Sequence, residues 1–202
     1  MLTLYHSPQS RSIRPRWLLE EIGAPYEVKT LSLPDGDQKK PDYLKLNPNG
    51  AVPTLVDGDL VLWESAAICQ YLADKFPDKR LAPPVGTPER GKYYQWIHYA
   101  MSGLEPAAVT IFQHTIQRPE ADRVPALVNE AKQQLAAAVK VVDSAVAGRE
   151  WILGSQFTAA DVMVGSTLAW CQLMGMLGDQ SPNAAAYLSR CAARPAFQRA
   201  SA

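Results

Sequence analysis

The sequence predicts two domains of different class: an α/β domain over residues 1–77 and an all-α domain over residues 89–202, joined by a linker at 78–88. Three observations carry this reading. Alternating apolar runs around one helical pattern open the chain in a β-α-β order, a proline- and glycine-rich tract follows Pro77, and beyond Glu89 no strand pattern recurs.

Leu2, Leu4 and His6 alternate with Thr3 and Tyr5, which predicts a strand ending at Ser7-Pro8. Ile13, Trp17, Leu18 and Ile22 share one face at helical spacing; Pro15 is tolerated in the first turn, and Gly23 is suited to end the helix. Tyr26 to Leu33 reads as a second strand, and a β-α-β crossover implies that the two strands pair in parallel. Val52-Pro-Thr-Leu-Val and Leu60-Val-Leu-Trp flank Asp57-Gly58, a dipeptide suited to a tight hairpin turn, so two antiparallel strands follow. Ser65 to Phe76 continues as a helix. Pro83-Pro84, Gly86 and Pro88 then mark the linker.

In the second domain Leu127, Ala131, Leu135, Val139, Val142 and Val146 recur every three or four residues, the signature of a long amphipathic helix. Thr158-Ala-Ala-Asp161 has the spacing of a capping box, with Phe157 placed to staple against Val162. The helix it starts is apolar nearly all round, so its role is structural.

Composition narrows the function classes. Apolar residues make up 47% and charged residues 20%, close to globular averages, so the chain buries a core. Twenty basic and twenty acidic residues balance, and no Lys/Arg stripe suits nucleic acid. The start lacks the pattern of a secretory leader, and no apolar run is long enough to span a membrane, so a cytoplasmic protein with no membrane partner is expected. Cys69, Cys171 and Cys191 form no C-x-x-C and read as small buried hydrophobes. His6, His98 and His114 show no ligand spacing, so no metal is expected.

Three places in the first domain combine residue types suited to a small charged ligand. In Asn47-Pro-Asn-Gly-Ala-Val52-Pro53, a proline enters a strand; it marks either an edge or a cis bond, and a cis bond would turn the Val52 amide and carbonyl outward toward a peptide-like ligand. An ordinary loop proline is the plainer alternative. In Trp63-Glu64-Ser65, a helix begins on an acid and a hydroxyl. Ser65 and the helix dipole suit a carboxylate and Glu64 suits an ammonium group, the two charges of a γ-glutamyl head, although a simple helix cap has the same appearance. In Ser7-Pro8-Gln9-Ser10-Arg11-Ser12, hydroxyls gather at a helix start, where the dipole lowers thiol pKa values. Ionising most of a thiol at neutral pH takes about two pKa units, roughly 3 kcal/mol. One hydroxyl donating to a charged acceptor supplies about 1.5–3 kcal/mol and the dipole about 0.3–1, which is enough.

Tyr5-His-Ser-Pro-Gln-Ser-Arg-Ser, the run from Trp17 to Tyr26, Asn47 to Pro53, Glu64-Ser65-Ala-Ala-Ile, Thr158-Ala-Ala-Asp161 and Arg194-Pro-Ala-Phe together resemble the glutathione S-transferase family, and the likeness spans essentially the whole chain. The resemblance implies a thioredoxin-like N-terminal domain, an all-α C-terminal helical domain and a homodimer. It further implies a glutathione site on the first domain, with glutathione as co-substrate, and a hydrophobic acceptor site between the domains. Val52 and Pro53 take the cis-proline role, Glu64 and Ser65 anchor the γ-glutamyl end, and Lys39 or Lys45 meets the glycyl end. The thiol-activating hydroxyl falls on Ser10; alignment on the following helix favours Ser12, Ser7 precedes a proline as in another serine class, and Tyr5 is the tyrosine-class choice. No cysteine occupies the loop, which disfavours thiol-transfer chemistry, and Ala51 departs from the family's frequent Lys or Gln. Trp96 and Tyr99 stand where acceptor-pocket residues are expected, with core packing as their alternative role. The ending at Ala202 suggests no extra helix over the acceptor site and an open cleft.

The expected activity is conjugation of the glutathione thiolate to hydrophobic electrophiles. A non-catalytic or regulatory glutathione-binding module and a glutathione-dependent peroxidase or isomerase are the alternatives. Retention of Pro53, Glu64, Ser65 and the loop hydroxyls favours an enzyme over a module.

Overall fold

The structure, a computed structural model, describes every residue of Met1–Ala202 except Asp179. The chain forms two compact units, Met1–Ala82 with Ala193–Ala202, and Pro83–Ala192.

The first unit runs β1 (Leu2–His6), α1 (Ile13–Ile22), β2 (Tyr26–Thr30), a short α2 (Pro41–Leu44), β3 (Thr54–Asp57), β4 (Leu60–Trp63) and α3 (Ser65–Lys75). The sheet order is β2-β1-β3-β4, with β1 parallel to β2 and antiparallel to β3. The crossover and the hairpin give the parallel and antiparallel pairings expected of them, and the arrangement is the thioredoxin-like one that the family resemblance implies. Leu2, Leu4 and Leu55 bury one sheet face with Trp17, Leu18, Leu19 and Ile22 of α1 and Ile68, Cys69 and Leu72 of α3. Each large side chain removed from water contributes about 1.5–3 kcal/mol. Gly23 ends α1 in the left-handed conformation at φ 70°, its N–H bonding the Leu19 carbonyl at 2.9 Å.

Two local expectations shift in register. The hairpin loop is Gly58–Asp59, because Asp57 still pairs with Leu60; Gly58 takes the positive φ of 61° that a side chain would resist. β2 stops at Thr30, three residues before the predicted end at Leu33, because Asp37 Oδ2 accepts from the Ser32 N–H at 2.8 Å and turns the chain away.

The second unit is helical: α4 (Pro88–Tyr99), α5 (Glu105–Phe112), α6 (Pro125–Val146), α7 (Ala159–Leu173) and α8 (Pro182–Ala192). A π-helical turn at Ala100–Leu104 precedes Pro106, which has no N–H to continue the helical ladder; the Tyr99 ring lies over Gly103, where an added Cβ would stand 2.8 Å from it. The buried stripe of α6 is Val128, Ala131, Leu135, Ala138, Val139, Val142 and Val146. Leu127, expected on that stripe, is 41% exposed and Val128 takes its place. At the start of α7 the predicted capping box is present: Asp161 Oδ2 accepts from Thr158 N–H at 2.8 Å, and Thr158 Oγ1 accepts from Ala160 N–H at 3.3 Å.

The last helix, α9 (Pro195–Ser201), belongs to the first unit, whereas the sequence reading carried the second domain through residue 202. Phe197 packs edge-on against Trp17 at 4.7 Å, and Arg194 grips Glu21 with two bonds of 2.6 and 2.8 Å. These partners lie more than 170 residues away in the chain, beyond the reach of local pattern.

Candidate functional site

The loop from β1 to α1 gathers hydroxyls around His6. Alternation along β1 buries His6 to 3% exposure on the face of Leu2 and Leu4, while Tyr5 turns to the opposite face. There Tyr5 packs 5.4 Å from the Tyr43 ring, beside a surface hollow of about 360 Å³, on the face opposite to His6 and its partner Ser12. Gln9 has a positive φ of 55°, uncommon outside glycine, and folds the loop back so that Ser10 and Ser12 meet.

Ser12 is fully buried. Its Oγ lies 2.7 Å from His6 Nδ1, 2.7 Å from Ser10 Oγ, 3.0 Å from the Ser7 N–H and 3.1 Å from the Ser7 carbonyl. Ser10 is half-buried; its Oγ sits 2.7 Å from the Ser7 carbonyl and 3.2 Å from the Ser12 N–H. On the other side of the imidazole, Arg16 Nη1 stands 3.3 Å from His6 Nε2. Burial first, and the Arg16 charge second, lower the His6 pKa from 6.5 to about 4, so the ring is neutral at neutral pH. Ser12 stands at the N-cap of α1 but makes no side-chain cap bond, so its hydroxyl serves the loop and the helix start is left uncapped.

The second place is the start of α3. Glu64 adopts φ 74° and ψ 112°, a region costly for a side-chain-bearing residue, and is exposed; Ser65 behind it is 3% exposed. Arg14, buried in the first turn of α1, donates from Nη1 to Ser65 Oγ at 3.1 Å. With its oxygen accepting from Arg14, the Ser65 proton is oriented to donate elsewhere, and the cation adds to the positive end of the α3 dipole.

The third place is the loop before β3. Val52-Pro53 is a cis peptide. The Ala51 carbonyl accepts from Tyr43 OH at 2.6 Å and from Asn47 Nδ2 at 2.8 Å, and both groups also meet Thr54 Oγ1. Lys39 reaches this loop through the Asn49 carbonyl at 3.2 Å and packs against Gly50, where a Cβ would lie 2.7 Å from its Nζ. Lys45 instead pairs with Asp42 at 2.7 Å on an exposed surface.

In the second unit, Trp96 is 7% exposed and stands edge-on to Tyr99 at 5.5 Å. Tyr99 is half-buried, its hydroxyl 3.4 Å from the Ala138 carbonyl. Of these two rings, only Tyr99 keeps appreciable surface for a ligand.

Sequence reasoning missed Arg14, Arg16, Tyr43 and the role of His6. For the arginines a signal existed: two cations in the first turn of a helix oppose its dipole, an arrangement that local preference disfavours. Among the described residues, no cluster of His, Cys, Asp or Glu is placed to hold a metal ion.

The comparisons with known proteins agree with one another. Residues 1–74 match the family profile described as glutathione S-transferase, N-terminal domain, and residues 125–190 match glutathione S-transferase, C-terminal domain. Glutathione S-transferase 3 of Zea mays is 33% identical over 98% of this chain and 92% of its own length. Two solved structures superpose closely: a glutathione transferase of Phanerochaete chrysosporium in complex with oxidized glutathione (TM-score 0.89, 28% identity, 98% of this chain and 94% of that one), and a theta class glutathione S-transferase of Xanthomonas axonopodis pv. citri with glutathione bound (TM-score 0.87, 32% identity, 98% and 96%). With both halves matched and near-complete coverage, the chain belongs to the glutathione S-transferase family.

Proposed function

We propose that the protein binds glutathione on its first unit, ionises the thiol at the start of α1 and transfers the sulfur to a hydrophobic electrophile, with Ser10 as the activating hydroxyl. The observation that carries this is the position of Ser10: it is half-buried at an uncapped helix start, while Ser12 two residues on is fully buried with its oxygen surrounded by four polar atoms. Ser10 therefore has the access that a ligand sulfur requires, and its proton, directed at the Ser7 carbonyl 2.7 Å away, is the one that would turn to that sulfur.

The other anchors follow from charge. Ser65, ordered by Arg14, and the amides at the start of α3 receive the γ-glutamyl carboxylate, and Glu64 receives its ammonium group. Val52, ahead of cis-Pro53, pairs through its backbone with the cysteinyl part, and Lys39 rather than Lys45 meets the glycyl end, being the lysine that contacts this loop. Tyr99 is the ring proposed for the acceptor. We extend the reading to detoxifying conjugation in the cytoplasm by a homodimer. The exposed Leu60 and Trp63 on edge strand β4, 39% and 42% accessible, support an assembly, which sedimentation of the purified protein tests.

Ultraviolet titration of bound glutathione tests the central step. In the wild type the thiol should titrate about one to two units below its free value, and Ser10→Ala should return most of that shift. An unshifted bound thiol, or a shift untouched by Ser10→Ala, refutes the assignment.

A further inference from the structure

The contacts around His6 close in one way only when donors and acceptors are counted. Arg16 has no acceptor, so at His6 Nε2 it donates, which leaves Nε2 without a proton. A neutral imidazole then carries its proton on Nδ1, which donates to Ser12 Oγ at 2.7 Å. Ser12 Oγ also accepts the Ser7 N–H at 3.0 Å, so both of its lone pairs are occupied. The Ser12 proton then has two targets, Ser10 Oγ at 2.7 Å and the Ser7 carbonyl at 3.1 Å; two hydroxyl oxygens do not rest 2.7 Å apart without a proton between them, so it goes to Ser10 Oγ, which is the acceptor. Ser10 accepts the Ser12 N–H as well, at 3.2 Å, and the one group left to it is its own proton, aimed in this structure at the Ser7 carbonyl 2.7 Å away.

We propose that Arg16, His6 and Ser12 form a one-way hydrogen-bond relay that makes Ser10 an obligate, polarised donor, with His6 as the positioning residue. The relay starts on a cation and ends on the hydroxyl assigned to the ligand sulfur, and aligned chains of this kind strengthen the terminal donor. It rests on the reading of Ser10 given above. Reversing the His6 tautomer would turn Ser12 toward His6, let Ser10 donate into Ser12, and remove its proton from the ligand. His6 touches no ligand atom in this scheme; its effect passes through Ser12.

The relay is testable without glutathione. Nitrogen-15 NMR of the histidine rings in the unliganded full chain at pH 7 should show His6 neutral, protonated on Nδ1 and bare on Nε2. His114, whose Nδ1 accepts the Val124 N–H at 3.0 Å, is the internal reference for the opposite tautomer when neutral. Finding His6 protonated on Nε2 overturns the relay. The functional arm is thiol titration in His6→Leu and His6→Asn, the latter keeping an amide donor near the Nδ1 position. His6→Leu should raise the bound thiol pKa by about half a unit or more with glutathione affinity unchanged, and His6→Asn should restore it, a pattern that general loosening of the loop would not give. If His6→Leu titrates like the wild type while Ser10→Ala does not, the relay fails and the Ser10 assignment stands; if neither moves the thiol, both fail. Should His6→Leu not fold, Arg16→Met frees Nε2 to take the proton, and an unchanged thiol pKa in that variant overturns the relay equally.

Discussion

The starts of α1 and α7 are built from the same materials and end in opposite states. At α7, Thr158 caps the helix, and Asp161, fully buried, returns bonds to the Thr158 N–H, the Ile152 N–H at 2.8 Å and the Tyr187 hydroxyl at 3.0 Å. Every donor there points inward. At α1, Ser12 makes no cap bond, the hydroxyls bond to one another and to His6, and the final proton sits on half-exposed Ser10. A polar cluster at a helix start is structural or functional according to where its donor chain ends, a property that residue types alone do not reveal.

Removing the closed cluster should have the largest effect. Asp161→Ala takes the carboxylate acceptor from the Ile152 and Thr158 N–H groups and the Thr158 hydroxyl, and leaves Tyr187 only the backbone carbonyl of residue 161 at 3.5 Å, so denaturant unfolding should show a loss of about 3–5 kcal/mol. The thiol titration of the protein that remains folded should not change. A loss below about 1 kcal/mol would mean that the α7 start is not the support it is taken for here.

The open cluster should respond to acid. Because the folded His6 pKa lies near 4, below the unfolded 6.5, the folded state binds this proton less readily; its contribution to stability is whole above about pH 6.5 and fades as the pH falls toward 4, by roughly 2–3 kcal/mol. His6→Asn, which does not titrate, should flatten that limb of the stability profile. Parallel acid limbs in the two proteins would contradict it.

The smallest of the three effects sharpens the comparison at α3, a second helix start without a side-chain cap. Glu64→Gly relieves a backbone conformation that costs about 1–3 kcal/mol, so thermal stability should hold or rise. Glutathione affinity should fall about tenfold for want of the carboxylate. Unchanged affinity would remove Glu64 from the ligand site.

Much of the fold was legible because its elements carry their own signals. The alternation of Leu2, Leu4 and His6, the helical face through Trp17 and Ile22, and the stripe through Ala131, Leu135 and Val142 each state a period that only one backbone satisfies. Errors came at element edges. Leu127 lies one residue out of phase with the stripe, and the hairpin turn sits one residue later than the Asp57-Gly58 pair suggested, because pairing with β4 rather than dipeptide preference sets the register. The site was legible as a set of loops, and the roles within it were not. Ser7, Ser10 and Ser12 are alike in sequence; their exposures and partners separate them only once His6 is seen between the loop and Arg16.

By itself the sequence determined the two domain classes, the order of the strands and the capped start of α7. These follow from periods and caps that act within a few residues. Tertiary structure decided the rest: the docking of α9 onto α1 through Arg194 and Glu21, the burial of Arg14 beside Ser65, and the different burial and partners of Ser10 and Ser12. Each joins groups from separate elements, and a buried donor or acceptor takes its role from whatever partner the fold brings within about 3 Å.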